Sequence, residues 1–216
     1  YDNIRPLKIP QSCDGMELLE CLRAMKTFYT SEQWQAACAA GEVICNDEQV
    51  QPGRIMRAGE RLLHRMPATR EPDVNADIEI LDEDEAIIVV NKPAPLPMHS
   101  CGRFHRNTLQ YILAQVYAPQ SLRIVHRLDA DTSGVLVLAK TRQIARGLHE
   151  QFRAGEVRKS YLARVHGRVS NAEFACEAAL ADEPGPRGVR LPDENGRPAC
   201  TRFRKVSYCE ASGNTL

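Results

Sequence analysis

Residues 126–134 read His-Arg-Leu-Asp-Ala-Asp-Thr-Ser-Gly and lie between two candidate strands, at 122–125 and 135–139. Seven of these nine positions are polar, charged or glycine. Charges without partners are too costly to bury in a core, so the stretch is either an exposed turn or a functional site. Thr132, Ser133 and Gly134 are residue types that turn the backbone, which would present Asp129 at the end of a strand.

Asp129 is the residue of this stretch best suited to chemistry. A carboxylate can act as a nucleophile, as a general acid or base, or as a metal ligand. The guanidinium of Arg127, two positions away, can pair with the carboxylate and hold it ionised. The residues alone leave all three chemistries open.

Strands and helices around this stretch follow one another without strict alternation. Residues 78–80 alternate with acids and residues 86–90 are apolar, which predicts two strands joined by a turn. Thr108 and Thr141 are N-cap residues of two predicted helices, the second of which ends at Gly155. The pattern predicts an α+β fold with a mixed, mainly antiparallel sheet flanked by helices rather than a doubly wound sheet.

Two further strands are predicted nearer the C-terminus, over residues 157–165 and 201–208. The second of these segments alternates in part.

The first 66 residues predict a small α+β module with its own core. Asp14 to Glu17 and Thr30 to Gln33 have the pattern of capping boxes, each followed by apolar residues at helical spacing. Residues 43–50 have the pattern of a hairpin with Asn-Asp at its turn.

Residues 67–76 are rich in Pro, Asp and Glu and predict a linker. The predicted organisation is therefore a module at 1–66, this linker, and a second domain at 77–216. The chain begins with Tyr1 rather than Met, so we expect it to be part of a longer protein.

The net charge is zero, with 28 basic and 28 acidic residues, but the charge is segregated along the chain. Residues 101–168 hold twelve Lys/Arg and four Asp/Glu, a local net charge of +8. Such a segment can attract a polyanion such as RNA. No apolar run reaches the roughly 18 residues that span a bilayer, so no membrane partner is expected.

Eight cysteines occur without any C-x-x-C pair, which disfavours a zinc site or a thioredoxin-like motif. A disulfide framework is also unexpected in a chain of this size. We therefore expect reduced, mostly buried thiols and a cytoplasmic location.

Residues 126–134, followed by an apolar strand and Ala-Lys, resemble the signature of the RluA-type RNA pseudouridine synthases. Val-Asn-Lys-Pro at 90–93 resembles the family's opening strand and loop, and residues 159–167 resemble its tyrosine strand. The resemblance covers about residues 77–216. Residues 11–66 resemble more weakly the α-L RNA-binding domain of a ribosomal small-subunit protein, with Ser-Glu at 31–32 where that domain usually has Ser-Arg.

The resemblance implies that uridine in RNA is isomerised to pseudouridine, with ribosomal RNA preferred and transfer RNA as the other candidate. It implies that Asp129 is the essential carboxylate and that the target base is flipped out of its stack. Neither a metal nor another cofactor is implied, because the detached uracil is its own nucleophile. The residues expected to bind substrate are Arg127, Tyr161, His126, Thr132, Asn91 and Lys92.

Arg127 is expected to fill the space that the flipped base leaves, and Tyr161 to stack on the uracil. For the others a supporting role is the simpler interpretation: His126 holds the loop by a hydrogen bond, while Asn91 and Lys92 form a wall of the pocket. The family pattern continues with Gly-Arg-x-His-Gln-Ile-Arg, so a catalytic domain that ends at Leu216 is expected to be incomplete at its C-terminus.

Two alternatives remain open. Asp-Ala-Asp at 129–131 matches the D-x-D part of the D-x-D-x-T motif of haloacid-dehalogenase-like phosphatases, which use an aspartyl nucleophile and magnesium, with Thr132 one position before the motif's Thr. That motif should follow an unbroken apolar strand, and here His126 and Arg127 interrupt it. The other alternative is a non-catalytic RNA-binding protein on the same fold.

Overall fold

The computed structural model describes residues 1–27, 29–183, 185 and 189–216. The chain forms two compact units, Tyr1–Glu156 and Val157–Leu216. Within the first unit, one hydrophobic core is built from residues between 9 and 62 and two others from residues between 88 and 145. The division into a module, a linker and a second domain, with boundaries near 66 and 77, stays a prediction.

The N-terminal part is a four-stranded antiparallel sheet with two helices packed on it. The strand order is β1-β4-β2-β3. The strands are β1 (Asn3–Lys8), β2 (Val43–Cys45), β3 (Glu48–Gln49) and β4 (Arg61–Met66), and the helices are α1 (Leu18–Ala24) and α2 (Ser31–Ala39).

The β2–β3 hairpin is confirmed, with Asn46 and Asp47 in the left-handed conformation at its turn. Strand β1, which contains Pro6, was not predicted from the sequence. A proline is tolerated there because β1 is an edge strand that pairs with β4 alone.

The two predicted capping boxes have different outcomes. At α2 the Thr30 side chain accepts from the Gln33 amide, and the Gln33 side chain accepts from the Thr30 amide, which confirms the box. At α1 the prediction is wrong: Glu17 is the N-cap and makes no side-chain cap. Asp14 instead accepts a 2.9 Å hydrogen bond from the amide of Ala58. Its carboxylate therefore stabilises a turn that is distant in sequence and does not cap α1.

The second sheet of this unit carries the signature stretch. Its four strands are antiparallel in the order β5-β6-β8-β7. The strands are β5 (Glu79–Glu83), β6 (Ile87–Lys92), β7 (Arg123–Ile124) and β8 (Gly134–Ala139), and the helices are α3 (Leu109–Tyr117) and α4 (Arg142–Ala154). Thr108 and Thr141 cap these helices as predicted, and Gly155 ends α4.

The two helices cover opposite faces of this sheet. Leu136 and Leu138 share a core with Leu109 and Leu113 of α3, whereas Val137 packs with Phe152 of α4. Side chains alternate between faces along a strand, so β8 joins both cores. The predicted α+β class is confirmed, and every strand pair in the described ranges is antiparallel.

The second unit contains two small antiparallel sheets, β10-β11 and β12-β13-β9. The strands are β9 (Val165–His166), β10 (Glu173–Cys176), β11 (Thr201–Arg204), β12 (Tyr208–Cys209) and β13 (Asn214–Thr215). The predicted strand over 157–165 is wrong except at its last residue. Extended propensity alone does not make a strand, because backbone groups need a paired neighbour.

All eight cysteines are free thiols. Cys13, Cys21, Cys38 and Cys45 are buried in the N-terminal core, but the other half of the set is exposed, so the expectation of mostly buried thiols is wrong. None of the helices in the described ranges is long and apolar enough to cross a membrane.

Candidate active site

Asp129 lies in the loop that joins the edge strand β7 to the inner strand β8. Gly134, the first residue of β8, pairs in register with Lys92, the last residue of β6. The loop therefore enters the sheet beside the end of β6. Gly134 has a φ of +129°, a conformation that residues with a side chain rarely adopt, so glycine is needed at this entry.

The side chain of Lys92 is fully buried beneath this loop. Its ammonium donates to the carbonyl oxygens of Leu96 at 2.8 Å, Pro93 at 3.0 Å and Ala130 at 3.2 Å. A lysine has three N–H donors, and here each has an acceptor. Burial lowers the pKa of Lys92, and the carboxylates of Asp131 and Asp129 act in the opposite direction.

The segment after β6 is tied to the turn that contains the aspartates. The carbonyl oxygen of Ala130 accepts a second hydrogen bond, 2.9 Å long, from the amide of Leu96. The amide of Thr132 donates to the carbonyl oxygen of Asp129 at 3.1 Å and closes the turn. The side chains of Asp129 and Asp131 are exposed. The Lys92 ammonium and the Leu96 amide thus hold the backbone of the turn, while the carboxylates of the turn face solvent.

His126 connects the same loop to β8 and to α4. Its Nε2 accepts a 3.0 Å hydrogen bond from the amide of Val137, and its ring stacks on Phe152 with centroids 4.8 Å apart. An accepting Nε2 requires the proton to be on Nδ1. These contacts are those of a residue that positions the loop.

The other predicted site residues are Arg127, Thr132, Asn91 and Tyr161. Arg127 is exposed, and Thr132 is half-buried within the turn. Asn91 is also exposed, and its amide donates to a carboxylate oxygen of Glu79 at 3.1 Å. Tyr161 belongs to the second compact unit, where its side chain is 64% exposed.

The structure brings together Asp129, Thr132 and Lys92, and His126 anchors the same loop. Sequence reasoning missed Leu96, Ala130 and Phe152. The first two act through backbone carbonyl and amide groups, which every residue type carries, so no residue-type signal could have identified them. Phe152 was expected on the apolar face of its helix, but its ring contact with His126 depends on the fold.

The loop geometry also bears on the phosphatase alternative. Strand β7 ends at Ile124, and residues 125–128 are not in a strand. Asp129 and Asp131 therefore do not follow an unbroken strand, which disfavours that alternative.

A sequence profile of the family described as RNA pseudouridylate synthase matches residues 86–216, a range that includes the Asp129 loop and all of β6. The chain belongs to the RNA pseudouridylate synthase family. The resemblance of the signature stretch to this family is thereby confirmed. The likeness of the N-terminal part to an α-L domain, which lies outside the matched range, stays a prediction.

Curated pseudouridine synthases are similar to the chain over most of its length. The human Pseudouridylate synthase RPUSD2 is 36% identical over 176 residues, which cover 81% of this chain and 32% of that protein. A Saccharomyces cerevisiae protein named mitochondrial tRNA pseudouridine(32) synthase is 34% identical over 82% of this chain and 39% of its own length. Ribosomal large subunit pseudouridine synthase C of Haemophilus influenzae is 33% identical over 76% of this chain and 55% of its own length.

The chain thus spans between 32% and 55% of the length of these three relatives. Among solved structures, human RNA Pseudouridylate Synthase Domain Containing 1 matches with a TM-score of 0.54 and 22% identity. That match covers 68% of this chain and 59% of the other, and it shows a pseudouridylate synthase fold.

Proposed function

We propose that the protein isomerises uridines in structured RNA to pseudouridine and that Asp129 is its essential carboxylate. The observation that carries the proposal is the exposed Asp129 side chain on a turn that the buried Lys92 holds in place. Family membership supplies the reaction class. A fixed backbone with a free carboxylate favours catalysis because the reacting group needs no reorganisation before it reacts.

The reaction breaks the glycosidic C–N bond, rotates the uracil in the pocket and joins it to the sugar through carbon. The Asp129 carboxylate can attack the anomeric carbon, assist the loss of a proton from the sugar to give a glycal, or add to the uracil ring. Each route needs one ionised carboxylate within reach of the nucleoside. The exposure of Asp129 supports such access.

A uridine stacked in RNA must be flipped out before any of these steps, at a cost of a few kcal/mol. Arg127 is exposed and lies two residues before Asp129. We propose that its guanidinium occupies the space that the flipped uracil leaves in the stack of RNA bases. Tyr161 is proposed to stack on the flipped uracil, for which its exposed ring is available. Lys92, Thr132 and His126 act through the loop rather than by touching the base.

Ribosomal RNA is the first candidate substrate and transfer RNA the second. One relative, a bacterial protein, is named for the ribosomal large subunit, and another, a yeast protein, is named for transfer RNA.

We propose that the N-terminal part assists RNA binding. Although Glu32 replaces the basic residue usual in the α-L domain, Arg23 donates to the Ser31 hydroxyl at 3.3 Å and brings a guanidinium to the start of α2.

The eight free thiols support a reducing compartment, and we propose that the protein is located in the cytoplasm.

Tritium release from RNA labelled at carbon five of uracil tests the proposal, with ribosomal and transfer RNA transcripts as separate substrates. The unchanged protein is compared with Asp129→Asn. We expect Asp129→Asn to lower the rate of release by about 10²–10⁴-fold or more, because it removes the reacting carboxylate.

Asp131→Asn is the matched control, since Asp131 is an exposed carboxylate of the same turn and also acts on the pKa of Lys92. We expect it to keep activity within about tenfold of the unchanged protein. Equal losses in both variants would contradict a specific role for Asp129. RNA binding without tritium release from any RNA would instead support the non-catalytic alternative.

A further inference from the structure

A groove of about 1050 Å³ runs along β7 and α4, at the edge of the sheet that carries the Asp129 loop. Its floor includes Leu122, Ile124 and Ala145. Four arginines line it: Arg123 from β7 and Arg142, Arg146 and Arg153 from α4. All four are exposed.

Three of these arginines form one stripe along α4. Arg142, Arg146 and Arg153 are spaced by four and seven residues, with His149 between the last two, so they lie on one face of the helix. At a rise of 1.5 Å per residue the stripe is about 16 Å long. Phe152, on the apolar face, packs in the core against the sheet. The stripe therefore makes no contribution to the core.

The charge of the groove is strongly unbalanced. Among the described residues that line the groove, one is acidic. This residue, Glu150, forms an ion pair with Arg146 at 3.2 Å. Arg142 stands in the first turn of α4, where the helix dipole favours an acid, and that turn contains no acid. The charge of Arg142 and the positive end of the helix dipole thus reinforce each other. Their repulsion lowers the stability of α4. Such an arrangement is favourable when an anion binds there.

The polar donors of the groove favour contacts to phosphate groups. Its described lining contains no Phe, Tyr or Trp on which a base could stack. It contains guanidinium groups, together with the amide and hydroxyl groups of Gln110, Gln143 and Ser121. These are donors typical of contacts to the phosphates and sugars of a nucleic acid backbone.

The groove and the catalytic loop are held in a fixed relation. Strand β7, which contributes Arg123, leads directly into the loop, and His126 of that loop stacks on Phe152 of α4. A backbone gripped along α4 is therefore held in a defined position relative to Asp129.

We propose that the groove between β7 and α4 is a second RNA-contacting site that grips the phosphate backbone of a helical region flanking the target uridine. The inference rests on the proposed function, since it takes RNA as the ligand. Arg142, Arg146 and Arg153 position this RNA and do not take part in the chemistry at Asp129. Recognition there is by charge and backbone shape rather than by base sequence.

The test is the affinity of the protein for a fluorescently labelled RNA that contains a duplex, measured by anisotropy at several salt concentrations. The variant is Arg142→Gln/Arg146→Gln/Arg153→Gln. We expect affinity to fall at least about tenfold and the slope of log affinity against log salt to become shallower by about 3, because three phosphate contacts are lost. Tritium release at saturating RNA should be retained, so that KM rises while kcat does not change.

The matched control is Arg197→Gln/Arg202→Gln/Arg204→Gln, which removes the same charge from three exposed arginines of the second unit. Replacing the three groove arginines by lysine should restore most of the affinity. Equal losses in the groove and control triples would show that affinity follows net charge and would overturn the proposal. Unchanged affinity in the groove triple would overturn it as well.

Arg142→Glu separates binding from folding. It places an acid in the first turn of α4, so the melting temperature should stay the same or rise while RNA affinity falls. A loss of affinity found only with a loss of folded protein would contradict the proposal. If the unchanged protein binds no RNA, the proposed function fails together with the groove; if it binds RNA and the groove triple binds equally well, only the groove fails.

Discussion

The ammonium nitrogen of Lys92 lies 3.2 Å from the carbonyl oxygen of Ala130, 38 residues further along the chain. Ala130 stands between the two aspartates of the signature turn. A lysine that is fully buried thus holds the backbone of the residue next to Asp129. The position of the proposed catalytic carboxylate is set by a contact with the end of β6 rather than by the loop alone.

Replacing Lys92 by Met should lower both stability and activity. The substitution keeps most of the side-chain length but removes the ammonium donor from three carbonyl oxygens, of which that of Ala130 keeps the Leu96 amide, and we expect the free energy of unfolding to fall by about 2–5 kcal/mol. Displacement of the turn should lower kcat by about 10²-fold in the protein that remains folded. Urea unfolding and tritium release measure the two effects.

Lys140→Met is the control, because Lys140 lies outside the signature turn and pairs at 2.6 Å with the carboxylate of Glu83; the side chain of Lys140 is 12% exposed and that of Glu83 37% exposed. We expect a loss of about 1 kcal/mol or less and normal turnover. Similar losses in the two variants would contradict a special role for Lys92.

His126→Ala should loosen the loop without removing a reacting group. The amide of Val137 would lose its acceptor and Phe152 its stacked ring, so we expect the free energy of unfolding to fall by about 1–3 kcal/mol. Activity should fall but remain measurable. Val137→Ala, which keeps the amide that donates to His126, should leave kcat unchanged. A complete loss of turnover in well-folded His126→Ala would point to a direct role for the imidazole.

Gly134→Ala and Gly147→Ala should have opposite effects on stability. Gly134 has a φ of +129°, so an added methyl group strains the entry to β8 and should cost about 1–3 kcal/mol. Gly147 lies inside α4 with open space around its Cα, so alanine there should stabilise the protein by about 0.5–1 kcal/mol. Thermal unfolding compares them, and a stabilising Gly134→Ala would contradict this account.

Glu71 should make stability depend on acid pH. Burial raises the pKa of this carboxyl, but hydrogen bonds from the Tyr1 hydroxyl and from the amides of Arg106, His105 and Asn107 outweigh burial and lower the pKa to about 2 from 4.5. Because the folded-state pKa is the lower one, the stabilisation is present above about pH 4.5 and is lost as the pH falls towards 2. Since Glu71 is only half-buried, we expect the loss to be about 1–2 kcal/mol.

Urea unfolding between pH 2 and pH 7 measures this loss. The Glu71→Gln variant should have a flatter stability profile below pH 4.5 than the unchanged protein. Tyr1→Phe removes one of the donors to the carboxylate and should give an intermediate profile. Identical profiles for the unchanged protein and Glu71→Gln would contradict the assignment.

The sequence by itself determined the local elements and the family. Thr108 and Thr141 correctly predicted where α3 and α4 begin, because a capping side chain accepts a hydrogen bond from an amide only three residues away. The apolar run before Lys92 and the run after Gly134 became inner strands because period and hydrophobicity are properties of adjacent residues. The signature of residues 126–134 indicated the synthase family, which the profile match confirmed.

Only the tertiary structure decided which groups meet across long stretches of chain. The carboxylate of Asp14 bonds to the amide of Ala58 instead of capping α1, and the ammonium of Lys92 lies under Ala130 instead of facing solvent. Residues 157–164 did not become a strand, because a strand needs a paired neighbour as well as favourable residues. Propensity and periodicity act over a few residues, whereas hydrogen-bond partners and buried charges depend on segments that only folding brings together.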